Sequence, residues 1–201
     1  MKKRLYLMVL GLGAIVMLTT SCAKLPQEEL DAAKASVEAA KAVEADRYIP
    51  AEFNALQDSL NKANTMIEEQ KSKFSLFRSY KDAKALLTNV IAMGATVKDN
   101  AVIRKEEVKK EVEAALTDIT AQIDEVKKLI KKAPRGKEGK AALEAIQSDL
   151  AGVEVTMTEV NTLVTNGDYL TAQEKVNAAK QKLVSLKTEL EEAIAKKKGR
   201  K

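Results

Sequence analysis

Apolar residues recur every three or four positions along most of this chain, the spacing of one helix face rather than of a strand. From Glu28, the positions Leu30, Ala33, Val37 and Ala40 form one such stripe. Six alanines between Ala32 and Ala42 make that helix slim and able to approach a neighbour closely. Pro50 is expected to end it and to sit in the first turn of a second helix, where a missing N–H costs nothing. The second stripe is Phe53, Leu56, Leu60, Ala63 and Ile67. Phe74 to Phe77 read as a short apolar bend with serines. Ser79 suits the N-cap of a third helix, whose stripe is Tyr80, Ala83, Leu87, Val90 and Val97. From Val108 the spacing approaches a heptad seam through Val112, Ala115, Ile119, Ile123, Val126 and Ile130. Ser79 to Lys132 as one helix would be about 80 Å long, with Gly94 or Lys98-Asp99-Asn100 as places for a kink.

Ala133 to Gly139, with one proline and two glycines, is the clearest break. A fourth stripe follows at Ala142, Ile146, Leu150, Val153, Met157, Val160 and Leu163 or Val164. Asn166-Gly167 is expected to cap that helix at its C-terminus, and Asp168 to cap the next at its N-terminus. The last stripe is Tyr169, Ala172, Val176, Ala179, Leu183, Leu186 and Leu190. The prediction is an all-α chain of about five helices, arranged as elongated antiparallel hairpins or a coiled coil.

Two segments echo one another. Ala55-Leu56-Gln57-Asp58-Ser59-Leu60 resembles Ala145-Ile146-Gln147-Ser148-Asp149-Leu150, and Ser79-Tyr80-Lys81-Asp82-Ala83 resembles Asp168-Tyr169-Leu170-Thr171-Ala172. The pairs keep their order, which suggests a duplicated helical hairpin. Tyr80 and Tyr169 are expected to pack beneath the incoming turn. Ala83 and Ala172, one turn on, would let the partner helix come close. This use of Tyr and Ala is similar to that in the tetratricopeptide class, without its 34-residue period.

The N-terminus carries a different pattern. Lys2, Lys3 and Arg4 precede an apolar run from Leu5 to Leu18, then Thr19-Thr20-Ser21-Cys22. The run is about 14 residues, too short to span a bilayer and long enough for a secretory leader. Cys22 is the only cysteine, so it has no disulfide partner within the chain. The arrangement resembles the lipobox of bacterial lipoproteins, with Leu18 one position further from the cysteine than is common. That resemblance implies cleavage before Cys22, a diacylglycerol on its thiol and usually an acyl chain such as palmitate on its amine. Ala23, rather than Asp, follows, which in Gram-negative members implies the outer membrane, facing the periplasm.

Cys22, the Ala-rich first helix, Tyr48-Ile49-Pro50 and Ser79-Tyr80-x-x-Ala83 together resemble a family of bacterial envelope lipoproteins with a helical domain of unknown function. The likeness covers roughly residues 22–100 and repeats weakly in 138–195. It implies a periplasm-facing helical protein, and exposed helix stripes of such a protein are expected to bind an envelope protein or a second copy of the chain. The expected organisation is a signal peptide at 1–21, a lipidated tether at 22–26, a helical region at 27–132, a loop at 133–139, a helical hairpin at 140–195 and a basic tail at 196–201.

Composition narrows the chemistry. Aromatics are 3% and Trp is absent, so a thin seam is expected rather than a thick core. The formal charge of +5 includes Lys2, Lys3 and Arg4, whose removal leaves +2. Five of the remaining positive side chains lie in Lys196 to Lys201, so the helical body is about −3. No surface for nucleic acid is implied. The chain has no His, and with Cys22 lipidated the His/Cys metal, haem and nucleophilic sites lose their ligands and bases. No enzyme, cofactor or metal is expected. Glu106, Glu107, Glu111 and Glu113 read as a solvated face pairing with Lys109 and Lys110 or their neighbours.

The basic tail has two readings: a frayed helix end whose lysines suit the dipole, or a contact with anionic lipid or cell-wall polymer. The terminal Gly199-Arg200-Lys201 resembles the tail of the Braun lipoprotein family, which implies Lys201 as an attachment point to peptidoglycan. A third class of function is a carrier holding an apolar ligand between helices. A wide, dry cavity would support it, and a closed Ala/Val seam would count against it.

Overall fold

The computed structural model describes residues 24–134 and 137–198, without the side chains of 137, 138, 197 and 198. The chain is all-α. Among the described residues there are six helices: α1 (Gln27–Ala42), α2 (Ala45–Tyr48), α3 (Pro50–Ser72), α4 (Lys81–Lys132), α5 (Lys137–Thr165) and α6 (Tyr169–Lys198). A 3-10 turn, Ser75–Phe77, lies between α3 and α4. The chain divides into two compact units, Met1–Val102 and Ile103–Lys201. The boundary falls inside α4, whereas the break expected at 133–139 lies within the second unit and is shorter, because α5 already begins at Lys137.

In the first unit α1, α3 and the first part of α4 share one core. Leu30, Ala33, Val37 and Ala40 from α1 pack with Phe53, Leu56, Ala63 and Ile67 from α3 and with Tyr80, Ala83, Leu87 and Val90 around the start of α4. Each fully buried Leu, Val or Ile there contributes about 1.5–3 kcal/mol of transfer free energy. Leu60 is only partly buried.

The first helix ends eight residues earlier than Pro50. Glu44 adopts φ 62° in the left-handed region, and its N–H donates to the Lys41 carbonyl at 2.8 Å. Such a conformation costs a side-chain-bearing residue about 1–2 kcal/mol. It turns the chain so that α2 buries Ala45 and Tyr48, and Arg47 closes back on Glu44 at 2.7 Å. Pro50 is the first residue of α3, as its fixed φ favours.

Gly94 does not interrupt α4. It lies buried against α1, where a Cβ would fall 2.9 Å from the Ser36 Cβ, 3.2 Å from the Ser36 carbonyl carbon, and closer still to Ser36 Oγ. Ser36 Oγ instead donates to the Ile91 carbonyl at 3.1 Å. The glycine is therefore a docking notch for α1. Ser79 is not the N-cap of α4. The helix starts at Lys81, the Tyr80 carbonyl accepts the Lys84 N–H at 2.8 Å, and the Ser79 N–H donates to Gln70 Oε1 at 3.1 Å.

In the second unit the rest of α4 buries Val108, Val112, Ile119, Ile123, Val126 and Ile130. Ala115 is half-buried. α5 buries Ile146, Leu150, Val153 and Val160 and packs along α6. Ala142 is exposed and its neighbour Leu143 half-buried. Met157, Leu163 and Val164 are half-buried as well. α5 ends in a Schellman motif: Gly167 at φ 80° donates to the Val164 carbonyl at 3.1 Å, and Asp168 donates to the Leu163 carbonyl at 3.0 Å. Asp168 then stands immediately before α6, whose Ala172, Val176, Ala179, Leu183, Leu186 and Leu190 are buried.

Candidate functional site

Tyr80 and Ala83 are buried in the first unit, at 7% and 1% exposure. Ala172 is buried in the second, and Tyr169 is half-buried at the first position of α6. These four are packing residues, and Tyr80 also lines an open cleft at the start of α4. Cys22 and Lys201, with the leader at 1–21, lie outside the described residues. Of the basic tail, Lys196 to Lys198 continue α6.

The chemistry on the described surface is that of paired charges. Among the described residues no charged or polar side chain is buried, and no cluster of three His, Cys, Asp or Glu is placed to hold a metal. None of their helices is long and apolar enough to cross a membrane. In the second unit α6 sends lysines alternately to its two neighbours. Lys175 and Lys182 reach Glu159 and Asp149 of α5, each at 2.7 Å. Lys180 and Lys187 reach Asp118 and Glu125 of α4 at 2.7 and 2.9 Å. Lys127 joins α4 to Glu154 of α5 at 2.6 Å. The hydrogen bond from Lys180 holds the Asp118 carboxyl below its usual value. Bonding to Glu154 and to Glu125 holds Lys127 and Lys187 above theirs.

The acidic run on α4 pairs partly as its spacing predicted. Lys109 and Lys110 lie 4.0 and 3.9 Å from Glu106. Glu107 and Glu111 are taken instead by Arg104, at 3.1 and 3.0 Å, and Glu111 also accepts a 2.6 Å bond from Gln173 of α6. Among the described residues the resolved shifts belong to ion pairs at the surface, each of which contributes little to stability on its own.

Two features stand apart. One is an open cleft of about 600 Å³ at one end of the first unit, lined by Lys24, Leu25 and Glu28 before and in α1 and by Arg78, Tyr80 and Lys84 at the start of α4. Lys84 closes one side of it onto Glu29 at 2.5 Å, which lowers the carboxyl and raises the amine. The other is the turn beside that cleft. Phe74, Leu76 and Phe77 are 68, 76 and 76% exposed. The sequence marked this turn as apolar. Its cationic flanks, Lys71, Lys73, Arg78 and Lys81, were the signal that it belongs to the surface.

No family model, curated protein or solved structure matches the chain. The resemblance to envelope lipoproteins therefore stands on the leader and the packing motifs alone.

Proposed function

We infer that this chain is a non-enzymatic lipoprotein of the bacterial cell envelope, anchored through lipid on Cys22 and acting as a helical structural or protein-interaction module. The carrying observation is the leader: three cations, an apolar run of about 14 residues and a lone cysteine at the cleavage point. Two or more acyl chains hold a protein to a bilayer stably, since each buried methylene contributes about 0.8 kcal/mol. Helices whose buried positions are apolar and whose charges pair along their flanks support the module reading. A carrier with an apolar ligand between its helices finds less support, because Ala33, Ala40, Ala63 and Val90 close the seam of the first unit at 0% exposure.

Metabolic labelling with palmitate, followed by membrane fractionation, tests the anchor. The native chain is expected to carry label and to partition with the outer membrane, and Cys22→Ala to lose both. Label that persists in Cys22→Ala overturns the assignment.

A further inference from the structure

The turn between α3 and α4 is built to hold three large apolar side chains in solvent. Arg78 braces it from behind: its Nε donates to the Lys73 carbonyl at 2.9 Å and its Nη2 to the Lys71 carbonyl at 2.8 Å. Ser79 adds its N–H to Gln70 Oε1 at 3.1 Å. The two arginine bonds satisfy backbone carbonyls at the end of α3 and at Lys73 just past it, which have no partner within the helix. Phe74 and Phe77 lean on each other, with ring centroids 6.4 Å apart at 50°. Neither ring is folded back over the core, and Leu76 projects between them in sequence.

The charge around the turn selects its partner. Residues 70–81 carry Lys71, Lys73, Arg78 and Lys81 and no acid; Lys71 pairs with Glu68 at 2.8 Å, which leaves Lys73, Arg78 and Lys81 nearest the tip, among the described residues, as the cations without an acidic partner in that stretch. An aromatic and leucine tip with a cationic collar fits the boundary of an anionic bilayer. The rings and Leu76 would enter the acyl boundary, and the cations would meet phosphate head groups. Position in the fold favours a bilayer over a protein groove. Lys24 and Leu25 line the same cleft as Arg78 and Tyr80, so the tip lies at the end of the first unit where the described chain begins. Cys22 is two residues before Lys24, within about 7 Å of extended chain.

We propose that Phe74, Leu76 and Phe77 form a second membrane contact, inserted into an anionic bilayer interface beside the lipid on Cys22. The proposal rests on the lipoprotein reading for its geometry. The anchor would raise the effective concentration of the tip at the surface and fix which end of the unit faces it.

The absence of Trp from the chain makes Phe77→Trp a single reporter at an exposed site. The lipidated full chain carrying it is reconstituted in vesicles of phosphatidylethanolamine and phosphatidylglycerol. Quenching by brominated acyl chains is expected to exceed quenching by dissolved iodide by at least threefold. Lys73→Glu with Lys81→Glu should reverse that preference while the anchor keeps the protein on the vesicle. Palmitate label is measured on the same preparation. With label present, a reporter quenched by iodide and not by bromine overturns the tip and leaves the anchor standing. A reporter shielded from both quenchers, in a chain that crosslinks to a second copy or another protein, assigns the tip to a protein interface and also overturns the proposal. Without label the anchor reading falls. The tip is then judged by sedimentation of the full chain with phosphatidylglycerol vesicles, expected to drop at least fivefold in Phe74→Ser/Phe77→Ser. An unchanged sedimentation overturns the tip as well.

Discussion

Gly94 shows how one missing methyl group decides a helix packing. In an isolated helix Gly→Ala is favourable by about 1 kcal/mol. Here the added Cβ would meet Ser36 from its side chain to its backbone, and α1 must move or strain. Overpacking of this kind costs about 1–3 kcal/mol and outweighs the propensity gain, so Gly94→Ala should lower the urea midpoint. Ser36→Ala removes the closest atom and should recover part of the loss in the double variant. A midpoint that rises in Gly94→Ala would show that α1 is not seated there. The sequence marked Gly94 as a break, because a glycine inside a helical pattern has that meaning until the facing residue is known. Ala142 failed for a related reason. Spacing from Ile146 allowed either Ala142 or Leu143 to face inward, and at the first turns of α5 the larger side chain takes the half-buried position. Ser79 was a fair N-cap by type, yet the carbonyl that accepts the first bond of α4 is that of Tyr80, from the Lys84 N–H, which puts the helix start one residue further on.

Whole elements were legible where an apolar stripe ran for several turns. α3, α5 and α6 follow their stripes, although α5 begins at Lys137, inside the loop expected at 133–139; Gly167 closes α5, and the Asp168 carbonyl accepts the first bond of α6 from the Ala172 N–H. α1 ended early because Glu44 takes a left-handed conformation without being glycine. α2 is a single turn held by the burial of Ala45 and Tyr48, too short for any periodic pattern. The cross-helix pairs of the second unit could not be read either, since they join residues 16 to 62 positions apart in sequence. Their effect on stability has a defined sign. Asp118 has a depressed value in the folded chain, so its contribution is present above the unfolded value of about 3.9 and is lost as pH falls through the folded one. Lys127 and Lys187 are raised, so theirs is present below about 10.4 and is lost as pH rises through the folded values. Stability should therefore be flat from about pH 5 to about pH 10 with respect to these groups. These sites are exposed, so 1 M salt should flatten both limbs. Thermal melts against pH check this. An acid limb identical in Asp118→Asn and the native chain would remove Asp118 from the account.

Across the molecule the two units repeat one burial register with different contents. In α4 the buried positions 83, 87, 90, 94, 97 and 101 are each followed, 89 residues later, by a buried position of α6 at 172, 176, 179, 183, 186 and 190. The Tyr-x-x-Ala echo was the visible corner of this match. The rest was hidden because Gly94 faces Ser36 where Leu183 fills the second unit with its own bulk. Small residues with close helix approach and large residues with side-chain packing are two solutions to filling the same volume. The first gains backbone proximity and the second gains apolar area, so the units should respond to different lesions. Leu186→Ala deletes buried bulk and should cost about 2–5 kcal/mol, whereas Gly94→Ala adds bulk to the first unit. Hydrogen exchange separates the two responses. Gly94→Ala is expected to speed exchange at Leu30 to Ala40 and Leu56 to Ile67 and to leave Val176 to Leu190 unchanged. Leu186→Ala is expected to do the reverse. α4 belongs to both cores, with Val102 and Ile103 exposed where one gives way to the other. Its amides should divide near that point, those before it following the first variant and those after it the second. Equal acceleration along the whole of α4 in either variant would mean that the two cores melt as one.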